Sequence, residues 1–185
     1  LQLPGATNGL MPLWNCPKIV GRASTVQLGP KQDVAPTVHL ITPVIEQVTT
    51  DDRVMVIAGG VDGISSWGDI LANAARRKGI RGSIIDGFSR DICGSADIGY
   101  PVYGRGVTMI SARNRLIQID AAVTVRMAGV DVDEGDYVIA DADRVPFSQK
   151  FGYGVGTFFD MWGHWLYPTI AFQIFGTFLH MPFWQ

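Results

Sequence analysis

The chain has few cysteines and few charged residues. The first scarcity bears on its cellular compartment, and the second on whether it binds nucleic acid. Cys16 and Cys93 are its two cysteines among 185 residues, and their separation matches neither a zinc site nor a disulfide framework. We therefore expect free thiols in a reducing, cytoplasmic compartment. The 15 basic and 17 acidic residues are interspersed without a block of like charge, so the sequence offers no basic face for nucleic acid.

We expect no signal peptide in the opening residues. These residues, LQLPGATNGLMPLW, contain no basic stretch followed by a continuous apolar run. The first residue is leucine instead of methionine, which favours a fragment or a processed form. A chain of 185 residues is long enough to bury one core without metal or disulfide staples.

Residues 151–185 differ in composition from the rest of the chain. They contain no lysine or arginine, a single acid at Asp160, and many aromatic residues. The stretch 165–184 is long and apolar enough to be weighed as a membrane span, but Pro168 and Pro182 interrupt it and no cations flank it. We expect a domain over residues 1–150, followed by an atypical aromatic tail that a partner covers or that is a non-native reading of the gene's end.

A β-α-β unit is predicted over residues 52–86. The run DRVMVIAGG (52–60) is typical of a strand that is buried on both faces, and IRGSIID (80–86) indicates a second strand. Between them, residues 65–79 have apolar residues at helical spacing, serines available as an N-cap, and basic residues before a closing glycine. The two strands should be parallel, with ligand-binding loops at their carboxyl ends.

The remaining patterns indicate a strand-rich α/β domain. Alternating and β-branched residues predict further strands, and apolar spacing predicts one more helix, interrupted or bent near Pro43. The strands are expected over 18–28, 101–110, 119–132 and 136–147, and the helix over 37–48.

Charged residues stand at the ends of the predicted elements, where a binding site can form. They are Gly68-Asp69 at the helix start, Asp86-Gly87 after the second strand, and then Arg90-Asp91. The unpaired amides of a helix start can receive a carboxylate, and an arginine can clamp the same anion bidentately. A carboxylate such as that of Asp91 is a ligand that Mg²⁺ or Mn²⁺ accepts. The alternative is structural: a solvated Arg90-Asp91 pair, a first-turn acid at position 69, and a turn pinned by Asp86.

These segments, in order, resemble the RraA-like proteins, which include the class II 4-hydroxy-4-methyl-2-oxoglutarate aldolases and the RraA regulators of ribonuclease E. The resemblance covers about residues 9–146 and rests on KIVGRASTV, WGDILANAARRKGIRGSIIDGFSRD, GYPVYGRGVT and AGVDVDEGDYVIADAD. It implies a swivelling β/β/α domain, with helices packed on a strand-rich sheet. It also implies a homotrimer with active sites between neighbouring subunits.

The resemblance assigns a role to each residue of the constellation. Arg90 matches the arginine that binds the pyruvyl carboxylate and the enolate oxygen, and Asp91 matches the aspartate that holds the metal. The helix start that faces the substrate corresponds to Gly68, Asp69, Ile70 and Leu71, with Asp69 positioning a water for proton transfer. The implied activity is that of a Mg²⁺- or Mn²⁺-dependent lyase that cleaves 4-hydroxy-2-oxo acids to pyruvate and also decarboxylates oxaloacetate.

The sequence departs from the family pattern in four places. Gly94 stands where the aldolases commonly carry an acid after the RD pair, and Arg144 replaces a usual glycine. The aromatic tail replaces a charged helix, and the usual N-terminal helix is not evident. Gly94 and the tail favour the alternative function, a non-catalytic regulator that binds a protein partner such as a ribonuclease.

Overall fold

The computed structural model describes residues 5–32 and 39–142, which fall within one compact unit, Leu1–Ala142. Its strands are β1 (Met11–Pro12), β2 (Ile19–Pro30), β3 (Arg53–Ala58), β4 (Ser65–Trp67), β5 (Ser83–Ile85), β6 (Phe88–Ser89), β7 (Val102–Gly104), β8 (Gly106–Val107), β9 (Leu116–Ala121), β10 (Val125–Met127), β11 (Val130–Val132) and β12 (Tyr137–Ala140). Its helices are α1 (Thr42–Gln47), α2 (Asp69–Arg77) and α3 (Ile92–Asp97).

The main sheet confirms the predicted α/β fold class. Its strand order is β1-β7-β5-β3-β2-β12, and β9 also pairs with β2. Strands β2, β3, β5 and β7 are parallel to their neighbours in that series, whereas β1, β9 and β12 pair antiparallel at its margins. The predicted β-α-β unit is present, because β3 and β5 are parallel neighbours with Val56 opposite Ile84, and α2 connects them.

A second, small sheet continues three of these strands beyond their carboxyl ends. Its order is β4-β6-β8, all parallel, and each of its strands follows a parallel strand of the main sheet along the chain. The register places Trp67 opposite Ser89, and Phe88 opposite Gly106. The short sheet therefore holds the loops after β4, β6 and β8 side by side.

The core lies on both faces of the main sheet. Met55 and Ile57 of β3 join the cluster that includes buried residues of α1 and α2, and Val54 and Val56 join the cluster formed with the β10–β11 hairpin. This division follows from the alternation of side chains along a strand. All four of these side chains are fully or almost fully buried, which explains why β3 reads as a continuous apolar run.

Two of the predicted helix starts were wrong. Helix α1 begins at Thr42 and carries Pro43 in its first turn. The N–H groups of a first turn have no partner within the helix, so a proline there costs no hydrogen bond. The proline therefore starts the helix and does not bend it. Helix α2 begins after Gly68, without a side-chain cap. Ser65 and Ser66 are buried in β4, so neither serves as the expected N-cap.

In residues 5–32 and 39–142 no helix is both long enough and apolar enough to cross a membrane. The aromatic tail, the domain boundary predicted at residue 150 and Arg144 lie outside the described residues, and they stay predictions. The first helix of the described part is α1.

Candidate active site

A cavity of about 430 Å³ lies where the loops after β4, β6 and β8 meet. This volume is within the range of roughly 300–1,000 Å³ that small-molecule sites occupy. Its wall contains every residue that the sequence assigned to substrate binding, namely Gly68, Asp69, Ile70, Leu71 and Arg90. The other lining residues are His39, Leu40, Ser65, Ser66, Trp67, Ser111, Ala112, Arg113, Asn114, Leu116 and Ile117.

The pairing of β4 with β6 brings Arg90 to the start of α2. The backbone N–H of Arg90 donates to the carbonyl of Trp67 over 3.0 Å, directly before the helix. A Cβ on Gly68 would lie 3.3 Å from Arg90 Cγ, from Arg90 Nε and from Asp91 Oδ2. Gly68 therefore allows the arginine and the aspartate to approach the helix start more closely than a residue with a side chain would.

Asp69 occupies the first position of α2 and lies against α3. Its Oδ1 accepts from the N–H of Ile70 over 2.7 Å. A Cβ on Gly94 would lie 2.9 Å from Asp69 Cβ and 3.4 Å from Asp69 Oδ2. The glycine that replaces an acid of the family pattern thus leaves room for Asp69, because a side chain at position 94 would displace it.

Arg90 and Asp91 form an ion pair beside the cavity. Arg90 Nε lies 3.1 Å from Asp91 Oδ2, and the two side chains are 37% and 36% exposed. Asp91 has φ 53° and ψ 40°, a left-handed conformation that is costly for a residue with a side chain and is concentrated at functional sites. Asp91 is not part of the cavity wall itself, although its carboxylate lies close to Gly68.

Asp91 fits a hard divalent cation better than it fits zinc. Among the described residues, no group of three or more His, Cys, Asp or Glu side chains is placed to hold a metal, whereas structural and catalytic zinc sites need three or four such ligands. Mg²⁺ usually keeps several waters and binds through one or two carboxylates plus the substrate. The carboxylate of Asp91, which is 36% exposed, would supply one such ligand.

A family model for RraA-like proteins (Aldolase/RraA) matches residues 2–145. The chain belongs to the RraA-like family. A Halalkalibacterium halodurans relative, provisionally named a 4-hydroxy-4-methyl-2-oxoglutarate aldolase, is 28% identical over 148 residues, which are 80% of this chain and 68% of the relative. Protein DlpA of Legionella pneumophila is 28% identical over 143 residues, or 77% of this chain, but these span only 23% of DlpA.

Solved structures agree with the family assignment. Streptomyces coelicolor RraAS2, described as an unusual member of the RNase ES inhibitor RraA protein family, is 27% identical with a TM-score of 0.65, over 84% of this chain and 78% of RraAS2. An uncharacterized Pseudomonas syringae protein is 30% identical with a TM-score of 0.63. The match covers 74% of this chain and 62% of that protein, so the RraA-like chain spans less than two thirds of it.

Asp86 has a structural position in this RraA-like chain. Its Oδ1 accepts from Arg105 Nε, and its Oδ2 accepts from the backbone N–H of Ala128 over 2.7 Å. Ala128 has φ 45° in the turn between β10 and β11. Asp86 therefore holds the β10–β11 turn against the end of β5, which is a different turn from the one at Asp86-Gly87 that the structural alternative named. Asp86 is not part of the cavity wall.

Two parts of the cavity wall were not predicted from the sequence of the RraA-like chain. Trp67 stacks on Tyr100 with ring centroids 6.1 Å apart, and burial raises the pKa of Tyr100 well above its ordinary value although Ser83 donates or accepts a hydrogen bond at its hydroxyl. The phenol therefore stays neutral and supports the wall. The second part is the loop 111–114, for which no element and no role was predicted.

Proposed function

We propose that this chain is a divalent-metal-dependent lyase that cleaves 4-hydroxy-2-oxo acids to pyruvate and a second oxo compound. Oxaloacetate decarboxylation would be a companion activity, because both reactions pass through the enolate of pyruvate. The observation that carries the proposal is the hydrogen bond from Arg90 N–H to the Trp67 carbonyl. It fixes an arginine beside a helix start at the wall of a cavity of suitable size.

Each residue of the proposed site contributes through its position. The first-turn amides of α2, at the positive end of the helix dipole, would bind the substrate carboxylate. Arg90 would stabilise the negative charge that develops on the substrate's 2-oxo oxygen. Asp69, which faces the same cavity, would orient the water that transfers the proton.

Asp91 would hold the cation. Mg²⁺ or Mn²⁺, when bound, supplies Lewis-acid polarisation of the 2-oxo group. The ion pair with Arg90 over 3.1 Å keeps the aspartate next to the arginine that acts on the same oxygen.

We further propose that the protein works as a homotrimer with sites between subunits. Support comes from large apolar side chains that are exposed near the cavity in the single chain. Ile70, in the cavity wall, is 72% exposed, and Met109, just before the cavity loop, is 85% exposed. Apolar surface of this kind is typical of a surface that a partner covers.

The test is an oxaloacetate decarboxylation and 4-hydroxy-4-methyl-2-oxoglutarate cleavage assay on the wild type. We expect pyruvate to form with added Mg²⁺ or Mn²⁺ and formation to stop with excess chelator, because the charge on the enolate would lose its cation. Restoring the metal should restore turnover. A wild type that produces no pyruvate from either substrate at any metal concentration would overturn the lyase proposal.

A second candidate is a non-catalytic regulator, favoured by Gly94 in place of the family acid. Oxalate, an analogue of the pyruvate enolate, separates the two candidates. The lyase requires metal-dependent oxalate binding, observed as a thermal shift or by calorimetry, whereas a protein that works through its surface does not. Absence of that binding together with a folded chain would favour the regulator.

Replacing Gly68 with alanine should lower activity more than it lowers the stability of the fold. The new Cβ would meet Arg90 and Asp91 at 3.3 Å, and displacing a catalytic group by a fraction of an ångström to 1 Å can cost roughly tenfold to a hundredfold in rate. Gly68 has extended backbone, φ −166°, so alanine introduces no backbone strain. We expect kcat/KM to fall by about tenfold or more, measured by pyruvate formation, while thermal unfolding changes little.

The matched control is Gly5→Ala. A Cβ at Gly5 would have no neighbour within 4 Å among the described residues, so this variant should retain wild-type kcat/KM. Equal activities for Gly68→Ala and the wild type would contradict the role given to the close approach at Gly68.

A further inference from the structure

The loop between β8 and β9 forms one wall of the cavity. Its residues 111–114 line the same space as Asp69 and Arg90. Asn114 adopts φ 61°, a left-handed conformation in which asparagine is enriched, and the N–H of Arg115 donates to the carbonyl of Ala112 over 2.8 Å. The loop is therefore a defined turn that presents particular side chains to the cavity.

The two arginines at the end of this loop have different surroundings. Arg115 Nη1 donates to the carbonyl of Ser111 over 3.1 Å and to that of Arg113 over 3.4 Å, so its guanidinium holds the loop together. Arg113 contributes its backbone N–H to Ser111 Oγ over 3.2 Å. Its guanidinium has no ion pair or hydrogen bond with any residue in 5–32 or 39–142.

Arg113 differs from the other charged side chains of the described cavity wall in its contacts. Arg90 is already paired with Asp91, and Asp69, whose Oδ1 accepts from the N–H of Ile70, forms no ion pair with the loop in the described part of the chain. His39, also in the wall, has Nδ1 2.8 Å from Thr42 Oγ1. Arg113 is thus the arginine of the described cavity wall whose guanidinium forms no ion pair with a described carboxylate.

Part of the cavity wall is apolar. Leu40, Leu116 and Ile117 line the cavity beside the loop residues. Apolar side chains suit the carbon chain of a ligand, and a guanidinium among the lining residues of the same cavity suits a terminal carboxylate, to which arginine binds bidentately.

We propose that Arg113 binds the distal carboxylate of the substrate and selects dicarboxylic 2-oxo acids over those with an uncharged tail. This inference rests on the proposed function, because that function assigns the other end of the substrate: its 1-carboxylate to the start of α2 and its 2-oxo oxygen to Arg90. Arg113 then determines specificity and takes no part in proton transfer or enolate stabilisation.

The test uses two ligands of equal carbon-chain length. 2-Oxoglutarate ends in a carboxylate where 2-oxopentanoate ends in a methyl group, and neither carries the hydroxyl group needed for aldol cleavage. Calorimetry on the full chain with Mg²⁺ present should show that the wild type binds 2-oxoglutarate at least about tenfold more tightly, as expected for a charge-assisted bidentate pair. Arg113→Met should remove that preference, and Arg113→Lys should restore part of it.

Arg77→Met is the matched control. It removes an exposed guanidinium at the far end of α2, outside the cavity wall, and leaves Arg113 and its loop in place, so it should keep the preference for 2-oxoglutarate. The inference is overturned if Arg113→Met keeps the wild-type preference, if Arg77→Met removes it to the same extent, or if the wild type binds neither ligand.

The failure of this inference and the failure of the lyase proposal give different results. A wild type that forms no pyruvate but prefers 2-oxoglutarate through Arg113 overturns the activity and supports the carboxylate site. A wild type that forms pyruvate but does not distinguish the two ligands supports the activity and overturns the site.

Discussion

Replacing Arg90 with alanine should reduce kcat/KM for oxaloacetate decarboxylation by about 10²–10³, the range found when one preorganised donor to a developing oxyanion is removed. The guanidinium lies at the wall of the cavity, next to the start of α2. Because it would act on charge that forms during the reaction, the loss should be mainly in kcat. The measurement is steady-state pyruvate formation at saturating metal.

The fold should tolerate the change from Arg90 to alanine. The Arg90 side chain is 37% exposed, and partly exposed ion pairs of this kind contribute no more than about 1 kcal/mol to the free energy of unfolding. Arg90→Lys keeps the charge but not the planar fork, so we expect an intermediate rate. Arg77→Ala, at the far end of α2, is the control. The role assigned to Arg90 is wrong if both alanine variants turn over at the same rate.

The β-α-β unit could be predicted from the sequence because its signals are local. Strand β3 is an uninterrupted apolar run, and α2 ends with basic residues followed by Gly79. Burial on both faces of the sheet explains the first signal, and the polarity of a helix end explains the second. The family resemblance added the order of the charged motifs, and the fold it implied was confirmed by the family match.

The short elements around the site could not be predicted in the same way. Helix α3 has six residues, with Gly94 in its interior, and glycine is unfavourable in a helix by about 1 kcal/mol relative to alanine. The strands of the small sheet have two or three residues each. Their pairing comes from contacts between distant parts of the chain, which overcome weak local preferences.

The site residues show the same division between local and distant causes. Asp69 and Arg90 lie 21 positions apart, and they share a cavity because β4 and β6 pair. The position of Gly94 against Asp69 depends on how α2 packs on α3. In the sequence, Gly94 stands where the resemblance leads us to expect an acid. In the structure, its lack of a side chain leaves room for Asp69.

Replacing Asp91 with asparagine should change the metal dependence of the reaction. The amide keeps the size of the side chain, and asparagine tolerates the left-handed conformation that Asp91 adopts at φ 53°. A neutral amide is a poorer ligand for a hard divalent cation than a carboxylate. Loss of even a residue that only supports a metal ligand typically costs 10–100-fold in affinity, so we expect the Mg²⁺ concentration at half-maximal rate to rise at least about tenfold.

Asp97→Asn is the matched control for Asp91→Asn, because Asp97 is the exposed acid at the other end of α3. It should leave the Mg²⁺ titration of pyruvate formation unchanged. Without metal, the two variants should unfold at similar temperatures. Metal-dependent oxalate binding should weaken in Asp91→Asn alone, which connects the aspartate to the cation and not only to Arg90. Equal Mg²⁺ titrations for Asp91→Asn and the wild type would remove Asp91 from the metal site and leave it as the partner of Arg90.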